Sequence, residues 1–364
     1  MLMYWILFLL PAYFALKFPF QFQENMQIQT TFNWLWKFML FFLVLVIGYR
    51  YEVGGDWLNY LRNLNGFKNI SFDDLNLSNE PGYEILTWLG DYWGGVYLFN
   101  CVGSYLFVFG LLKFCLSLRR PWLALTIATP YMVIVVGMGY SRQAVSVGVF
   151  MLGLCALNQQ KTFQYLVWIL IGYLFHHTSI LLIPLVLRFR KQSIRGENLL
   201  LFLILLPVIY QIFKFSTQKY MQGYFVTKYN SAGALTRLLL NCIPGCLYLL
   251  LKEKFHLMSK NQHKICELFS YASIGFFILY FFVPSSAALD RFALYFQSLQ
   301  LLIWSHMPDV WGKTASNNRI QVFFIISFYA LVEFTWLFFS QNSSAWLPYK
   351  FYWWEVLTNK IWFI

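Results

Sequence analysis

Long apolar runs recur along the whole chain, and they leave few folds open to it. Of its 364 residues, 59% are hydrophobic and only 12% are charged, whereas a soluble protein carries about a quarter charged residues. In lipid, such a chain satisfies its backbone hydrogen bonds either as helices or as a closed barrel. Barrel strands alternate in hydrophobicity over about ten residues, and these runs are longer and do not alternate. The sequence therefore predicts an all-α, polytopic integral membrane protein.

The apolar runs predict about twelve membrane segments within one transmembrane domain, residues 1–364. They lie near residues 2–16, 36–49, 95–118, 122–138, 141–157, 162–175, 178–187, 198–215, 236–251, 265–283, 292–306 and 320–339. Several runs are shorter than the ~20 residues that a full crossing needs, so we expect some tilted, kinked or re-entrant elements. The first run lacks a basic region and a small-residue cleavage site, which favours a retained span over a removed signal peptide.

Positive charge is unevenly distributed between alternate loops. More than half of the 27 lysines and arginines fall in loops on the same side as the segment 17–37, where acids are few. The positive-inside rule places these loops in the cytoplasm, so both termini face outward. This orientation accounts for the net charge of +12, and nucleic acid is not expected as a partner. The segment 50–94 becomes the largest outward loop, and the aromatic tail 340–364 is typical of an interfacial segment.

One pair of apolar runs is too short for two crossings. Lys161 and Arg188 both fall on the cytoplasmic side, so the sequence predicts a broken hairpin near residues 162–187 with FHHTS at its turn. Non-helical backbone at membrane depth is tolerated where protein or a water-filled cavity covers it. We therefore expect this turn to line a cavity.

The stretch YRYEVGGDWLNY, residues 49–60, places polar groups at the end of an apolar run. Its two glycines allow a tight turn because glycine accepts positive φ, and Asp56 then points back toward the span. A snorkelling Arg50 and a solvated aspartate would explain the motif without a site. Trp57 and Tyr60 suit either stacking on sugars or anchoring at the membrane interface.

Two further motifs place charge beside predicted spans. Glu80 precedes Pro81 at the start of a predicted helix, where capping alone accounts for a carboxylate. Arg142 and Gln143 lie at the outer end of an apolar helix. An arginine there normally faces a bundle interior or water, and its planar guanidinium suits phosphate oxygens. The pattern favours a functional role for Arg142 over snorkelling.

His176 and His177 lie at the break of the predicted hairpin. A single buried histidine is more often structural, but two adjacent ones at a membrane break are less easily explained that way. Histidine can accept a proton near neutral pH or donate to an oxyanion. A metal site would need further ligands with a recognisable spacing. The sequence has none, so neither a metal nor another cofactor is predicted.

The polar groups converge on one side of the predicted bundle. Arg291 opens a late span, with Tyr295 one helical turn further on the same face, although a local ion pair with Asp290 would also explain the arginine. The charge-derived topology places on the outer side Arg50, Asp56, Glu80, Arg142 and Arg291. The histidine turn opens to the same side. Such a cavity suits a ligand that carries phosphates and hydroxyls.

In this order, the motifs resemble the EpsG/Wzy family of bacterial polysaccharide polymerases. That family has an arginine and a Gly-x-Asp-aromatic cluster after the second span, here RYEVGGDW, and then an acidic-Pro-x-Tyr segment, here EPGY. Arg-Gln, a histidine two residues before Ser or Thr, and Arg with Tyr four residues on follow, here RQ, HHT and RFALY. The chain departs at Gly55, where the family often carries threonine. Of the doubled histidines, His176 has the matching spacing to Thr178.

The resemblance implies a C-type glycosyltransferase architecture and a metal-independent, multi-pass enzyme of the bacterial inner membrane, with its active site facing the periplasm. Such an enzyme polymerises undecaprenyl-pyrophosphate-linked repeat units into O-antigen or a related surface polysaccharide. The implied catalytic residues are Arg142, Arg291, Asp56, Glu80 and His176. The implied substrate-binding residues are Arg50, His177, Gln143, Tyr295, Trp57 and Tyr60. Donor and acceptor glycans, the lipid bilayer and a chain-length regulator are the expected partners.

The resemblance also implies how these residues act, and two alternatives compete with it. The arginines would stabilise the leaving pyrophosphate, while the aspartate, the glutamate and His176 are alternative proton acceptors. An O-antigen ligase uses the same donor, but the motif order favours the polymerase. A flippase or transporter often shows duplicated halves, and the sequence shows no internal repeat.

Overall fold

A computed structural model shows the chain as a bundle of helices. The structure describes residues 1–18, 33–189 and 231–358, apart from residues 69, 76, 78, 79, 232, 284, 314 and 315. Within these ranges there is no β-sheet, and each predicted apolar segment that they contain folds as helix. The predicted span 198–215 lies outside the described residues.

The α-helices are numbered here in chain order. They are α1 Leu2–Lys17, α2 Trp34–Gly48, α3 Trp57–Gly66, α4 Pro81–Tyr92, α5 Val96–Leu116, α6 Pro121–Ala128, α7 Ser141–Asn158, α8 Thr162–Tyr173, α9 Ala234–Leu251, α10 Lys260–Leu279, α11 Ser286–Ala293, α12 Ser298–Trp311, α13 Arg319–Phe339 and α14 Tyr352–Leu357. The segment Thr129–Gly137 is a π-helix. The 3-10 helices are Phe72–Asp74, His177–Phe189, Lys252–Lys254, Leu294–Gln297 and Gln341–Ala345.

Four helical stretches in the described ranges are long and apolar enough to cross a membrane. They are Val96–Leu116, Pro121–Gly139, Ala234–Lys254 and Arg319–Phe339. Shorter apolar helices are Leu2–Lys17, Trp34–Gly48, Thr162–Tyr173 and His177–Phe189. The chain is therefore an all-helical membrane protein, as predicted, while the total of about twelve segments remains a prediction.

Glycines bring α5 and α7 into backbone contact. A Cβ atom on Gly110 of α5 would lie 1.9 Å from the carbonyl oxygen of Gly148 on α7, and one on Gly148 would lie 2.4 Å from the Cα atom of Phe107. Small residues at such positions let two membrane helices approach closely. This contact fixes the position of α7, whose first turn carries Arg142.

The predicted hairpin near residues 162–187 consists of two helical arms with a break between them. Helix α8 ends at Tyr173, and a 3-10 helix begins at His177. Between the arms, the Tyr165 hydroxyl donates to the carbonyl of Leu182 at 2.6 Å. The arms thus run antiparallel, and the two histidines lie at the break.

The turn after α2 depends on Gly54. Its φ is +105°, and a Cβ atom there would lie 2.2 Å from the carbonyl oxygen of Met138. Its N–H donates to the carbonyl of Ala345 at 2.8 Å. The backbone of the YEVGG turn therefore passes between the end of the π-helix and the C-terminal segment, which leaves no room for a side chain.

The structure places the first part of the predicted interfacial tail, 340–364, inside the fold. Trp346 is 3% exposed, and its ring N–H donates to the carbonyl of Ile134 at 3.0 Å. The hydroxyl of Tyr4 donates to the Trp346 carbonyl at 2.5 Å. Further along, the side chain of Trp354 is exposed. The start of this segment therefore connects α1 to the π-helix instead of lying on the surface.

A buried ion pair between Arg120 and Asp309 lies near the C-terminal end of α12. Arg120, only 1% exposed, donates to the Asp309 carboxylate at 2.9 Å and to the carbonyl of Ser316 at 3.0 Å. A buried charge is tolerated when it is paired and hydrogen-bonded. The pair therefore holds the loop after α12 against the start of α6.

We expect Arg120→Met to destabilise the protein, because it would leave the Asp309 carboxylate as a buried charge without its nearest cation. Breaking a buried pair from one side costs at most about 3–5 kcal/mol, and Arg119 Nε, 3.5 Å from the other carboxylate oxygen, compensates part of the charge. The midpoint of thermal unfolding, measured by size-exclusion chromatography of heated protein in detergent, should fall by several degrees. Arg319→Met, at an exposed position, is the control, and equal midpoints for the two variants would contradict the prediction.

Candidate active site

The first turn of α7 brings Arg142 to Glu80. The arginine Nη1 lies 2.6 Å from the glutamate Oε2, and the two side chains are 39% and 7% exposed. The guanidinium also lies over the ring of Tyr83, 4.9 Å from its centroid. Glu80 comes directly before Pro81, the first residue of α4. Proline has no backbone N–H, but an N–H at the first position of a helix would have no partner within the helix in any case. A buried carboxylate thus holds an arginine whose side chain is still partly open.

The same carboxylate contacts the histidine turn. Nδ1 of His177 lies 3.2 Å from the Glu80 Oε1 atom, and the rings of His176 and His177 stack with centroids 5.1 Å apart. The N–H of Gly82 donates to the carbonyl of Leu174 at 2.8 Å, which holds α4 against the turn. The EPGY and HHT motifs therefore meet in one cluster.

A chain of hydroxyl groups extends the cluster into the bundle. The hydroxyl of Tyr295 lies 2.9 Å from Ser146 Oγ and 3.0 Å from Thr178 Oγ1. Thr178 Oγ1 in turn lies 2.8 Å from His176 Nδ1. Neither Ser146 nor Thr178 is among the site residues predicted from the sequence. Ser146 could have been found from its position one helical turn after Arg142.

Gln143 and Arg291 connect α7 to α11. The Gln143 amide donates to the backbone carbonyl of Arg291 at 2.5 Å, and the glutamine is 3% exposed. The Arg291 side chain is exposed. The glutamine thus holds the backbone, while the arginine side chain remains available at the rim of the cluster.

Arg50 lies just after α2 and contacts the start of α7. It is 1% exposed, and it donates to the carbonyls of Ile47 at 2.6 Å and Val53 at 3.1 Å. Its Nη2 donates to Ser141 Oγ at 2.7 Å. The guanidinium therefore fixes the residue that precedes Arg142. The contacts that the structure gives it are with the protein, and its predicted contact with substrate remains a prediction.

Asp56, Trp57 and Tyr60 lie at the start of α3. The Asp56 carboxylate accepts from the Asn59 amide at 3.1 Å. Trp57 and Tyr60 are 4% and 2% exposed and belong to a packed cluster, in which the Tyr60 and Tyr83 rings meet with centroids 6.1 Å apart. Neighbouring side chains cover both rings, and these two aromatics pack the start of α3 against Tyr97 and Phe99 of α5.

Glu80 belongs to the loop segment 50–94, outside the candidate membrane-crossing helices. Burial raises the pKa of its carboxyl group, but the hydrogen bond from His177 and the charge of Arg142 outweigh it and lower the pKa to about 2. A carboxylate with so low a pKa has little affinity for a proton. Glu80 is therefore suited to holding its two partners in place.

Glu80, His176 and His177 are also the residues that could hold a metal ion in the described part of the chain. Each offers one ligand atom, and these atoms lie within 4.8 Å of one another. The carboxylate is already paired with Arg142, and the His176 Nδ1 atom is bonded to Thr178. A dication would compete with the guanidinium for the same carboxylate, so this arrangement favours an ion pair with arginine.

We expect Glu80→Gln to remove a stabilising contribution that depends on pH. The carboxyl pKa is lowered from 4.5 to about 2, so the ion pair stabilises the folded protein fully above pH 4.5 and is lost as the pH falls toward 2. The variant should unfold at a lower temperature than wild type at neutral pH, and the difference should shrink on acidification. Scanning fluorimetry in detergent measures this, with Asp73→Asn at an exposed position as control. A difference that is constant with pH would contradict the prediction.

A comparison with known proteins gives the family. The sequence pattern of the EpsG family matches residues 33–351 of the 364 in the chain. That range contains every residue of the cluster around Glu80 and Arg142. No curated protein matches the chain, and no solved structure matches it. Because the match covers most of its length, this chain belongs to the EpsG family.

Proposed function

We propose that this protein polymerises undecaprenyl-pyrophosphate-linked oligosaccharide repeat units into O-antigen or a related surface polysaccharide. Membership of the EpsG family supports a polysaccharide polymerase-type function, and the apolar helices support action in a membrane. The observation that carries the proposal is the partly exposed Arg142, which Glu80 holds beside two histidines at the start of α7. The charge pattern of the loops supports a site on the periplasmic face of the inner membrane.

The cationic side of the cluster suits the pyrophosphate of the donor. Arg142 lies in the first turn of α7, where the helix dipole favours an anion. Arg291 supplies a second, exposed guanidinium nearby. Negative charge accumulates on the pyrophosphate as it leaves, and donors that are already in place stabilise such charge without rearranging. Two guanidinium groups provide this neutralisation without a metal ion.

The reaction is a glycosyl transfer. A hydroxyl oxygen of the acceptor repeat unit forms a bond to the anomeric carbon of the donor glycan. The bond from that carbon to the pyrophosphate oxygen breaks, and undecaprenyl pyrophosphate leaves with the electron pair. The acceptor proton passes to a base within hydrogen-bond reach, for which the sequence offers Asp56, Glu80 and His176. The chain grows by one repeat unit.

Deletion of the gene in its host, followed by gel electrophoresis of the surface lipopolysaccharide, tests the proposal. Loss of polymerase should collapse the ladder to core plus one repeat unit, because flipping and ligation continue. A core without any repeat would contradict the proposal and favour a ligase or a flippase. An unchanged ladder, together with unchanged capsule and exopolysaccharide, would contradict any role in surface-glycan assembly.

A further inference from the structure

Asp290 precedes Arg291 in the chain, and the structure pairs it with a different arginine. Arg237, in the first turn of α9, donates from Nε to Asp290 Oδ1 at 2.8 Å and from Nη2 to Asp290 Oδ2 at 2.6 Å. The two side chains are only 14% and 9% exposed. In the described part of the chain, Asp290 thus pairs with Arg237 and not with its sequence neighbour.

Further contacts hold the Arg237 guanidinium in place. The Ser231 hydroxyl accepts from Arg237 Nη2 at 2.7 Å and donates to Asp290 Oδ2 at 2.8 Å. The guanidinium carbon also lies 5.5 Å from the centroid of the Tyr131 ring, and the face of an aromatic ring attracts a cation. Two parallel bonds between an arginine and a carboxylate define the geometry of both groups. The pair is therefore a fixed contact between α9 and α11.

Two other bonds hold α11, one from α9 and one from α7. Asn241, one turn further along α9 than the paired arginine, donates to the carbonyl of Ala293 at 3.2 Å. From α7, the Gln143 amide donates to the Arg291 carbonyl at 2.5 Å. The Arg291 backbone is therefore one hydrogen bond away from the residue that follows Arg142. This fixes the position from which the Arg291 side chain extends.

The charge of Asp290 would oppose a pyrophosphate at this end of α11 if nothing neutralised it. A carboxylate next to Arg291 would repel phosphate oxygens, and such repulsion is strong where little water screens it. Arg237 places a positive charge 2.6 Å from the carboxylate and cancels its effect at a distance. The exposed Arg291 side chain then keeps its whole positive charge for an anion.

From this arrangement we infer that Arg237 is a positioning residue for the anion site of the polymerase, an inference that rests on the proposed function. By binding both oxygens of Asp290, it holds α11 against α9 and cancels the carboxylate charge beside Arg291. Arg291 then meets the pyrophosphate of the lipid-linked donor with its full charge. Arg237 acts through Arg291, because its own Nε and Nη2 donors are bound to Asp290 and Ser231.

Two substitutions with opposite effects on local charge test this inference. The probe is inorganic pyrophosphate, and its Kd is measured by isothermal titration calorimetry with the full chain in detergent. Arg237→Gln leaves the Asp290 carboxylate without the cation that neutralises it. We therefore expect pyrophosphate to bind about tenfold more weakly, with a smaller loss at high salt. Asp290→Asn keeps the shape of the side chain and removes its charge, so pyrophosphate should bind about threefold more tightly.

A double variant and a distant arginine provide the controls. Arg237→Gln combined with Asp290→Asn restores the local net charge, so its Kd should lie within about threefold of the wild-type value. Arg188→Gln also removes an arginine from an ion pair, with Glu267 at 3.3 Å, at the far end of the 3-10 helix from the histidines. Its Kd should equal that of wild type. If the pair were only mechanical, every variant that breaks it would bind pyrophosphate more weakly.

Chain extension by the wild-type protein, measured with lipid-linked repeat units extracted from the deletion strain, separates the inference from the proposed function. Wild-type protein that extends no chain overturns both. An active wild type that binds no inorganic pyrophosphate overturns the inference alone, and so does equal or weaker binding in both single variants. If Arg237→Gln does not accumulate, Asp290→Asn decides: tighter binding supports the inference, and unchanged or weaker binding overturns it.

Discussion

Arg142→Lys is expected to abolish chain extension while the protein is still made and inserted. Lysine keeps the positive charge, so it can still pair with the Glu80 carboxylate that Arg142 contacts at 2.6 Å. It cannot offer a planar fork of donors to two phosphate oxygens while it does so. Loss of one such transition-state contact lowers kcat by about a hundred- to a thousandfold. The surface glycan of the variant should therefore resemble that of the deletion strain.

The control for this substitution lies on α3. Arg62 is exposed and bonds to Asn59 at 3.2 Å, so Arg62→Lys makes the same chemical change outside the cluster. Its glycan ladder should equal that of wild type. Immunoblots of membranes would confirm equal amounts of both variants. A normal ladder in Arg142→Lys would remove Arg142 from the mechanism and leave its ion pair as a structural contact.

The helices of this protein could be predicted because an apolar run in lipid has few alternatives to a helix. The motifs of the site could be found because each is a local pattern of polar groups beside a span. Their assembly could not be predicted, because Arg142 meets a glutamate 62 residues away and His177 meets the same glutamate across 97 residues. Nothing local specifies which loops meet at one end of a bundle.

The packing of individual side chains was harder to predict than the positions of the helices. Trp57 and Tyr60 have the composition of sugar-stacking residues, but the structure covers their rings. Arg50 was placed in the substrate site by its motif, and its donors contact the turn and Ser141. Trp346 belongs to an aromatic tail whose composition predicts an interfacial segment, yet the Trp346 side chain is buried. In each case the observed contacts depend on distant packing partners, and the predicted contacts of Arg50, Trp57 and Tyr60 with substrate remain predictions.

Gly148→Leu is expected to prevent correct assembly, and with it chain extension. Leucine is a better helix former than glycine, so the helix itself would gain. The obstacle is space, because the first added carbon would lie 2.4 Å from the Phe107 Cα atom, which is backbone and cannot rotate away. Overpacking of this kind costs about 1–3 kcal/mol or more. Separation of α5 from α7 would also move Arg142, two turns before the glycine, away from Glu80.

A second helical glycine makes this prediction testable against helix propensity. A Cβ atom on Gly275 of α10 would meet nothing within 4 Å, so Gly275→Leu adds the same side chain where there is room for it. Membranes should contain normal amounts of Gly275→Leu, which should elute as a single peak in detergent, while Gly148→Leu should be depleted or aggregated. If both variants accumulate and extend chains alike, the α5–α7 contact is looser than the structure shows. If only Gly148→Leu fails, the backbone contact between α5 and α7 is what sets the position of the arginine on which the proposed reaction depends.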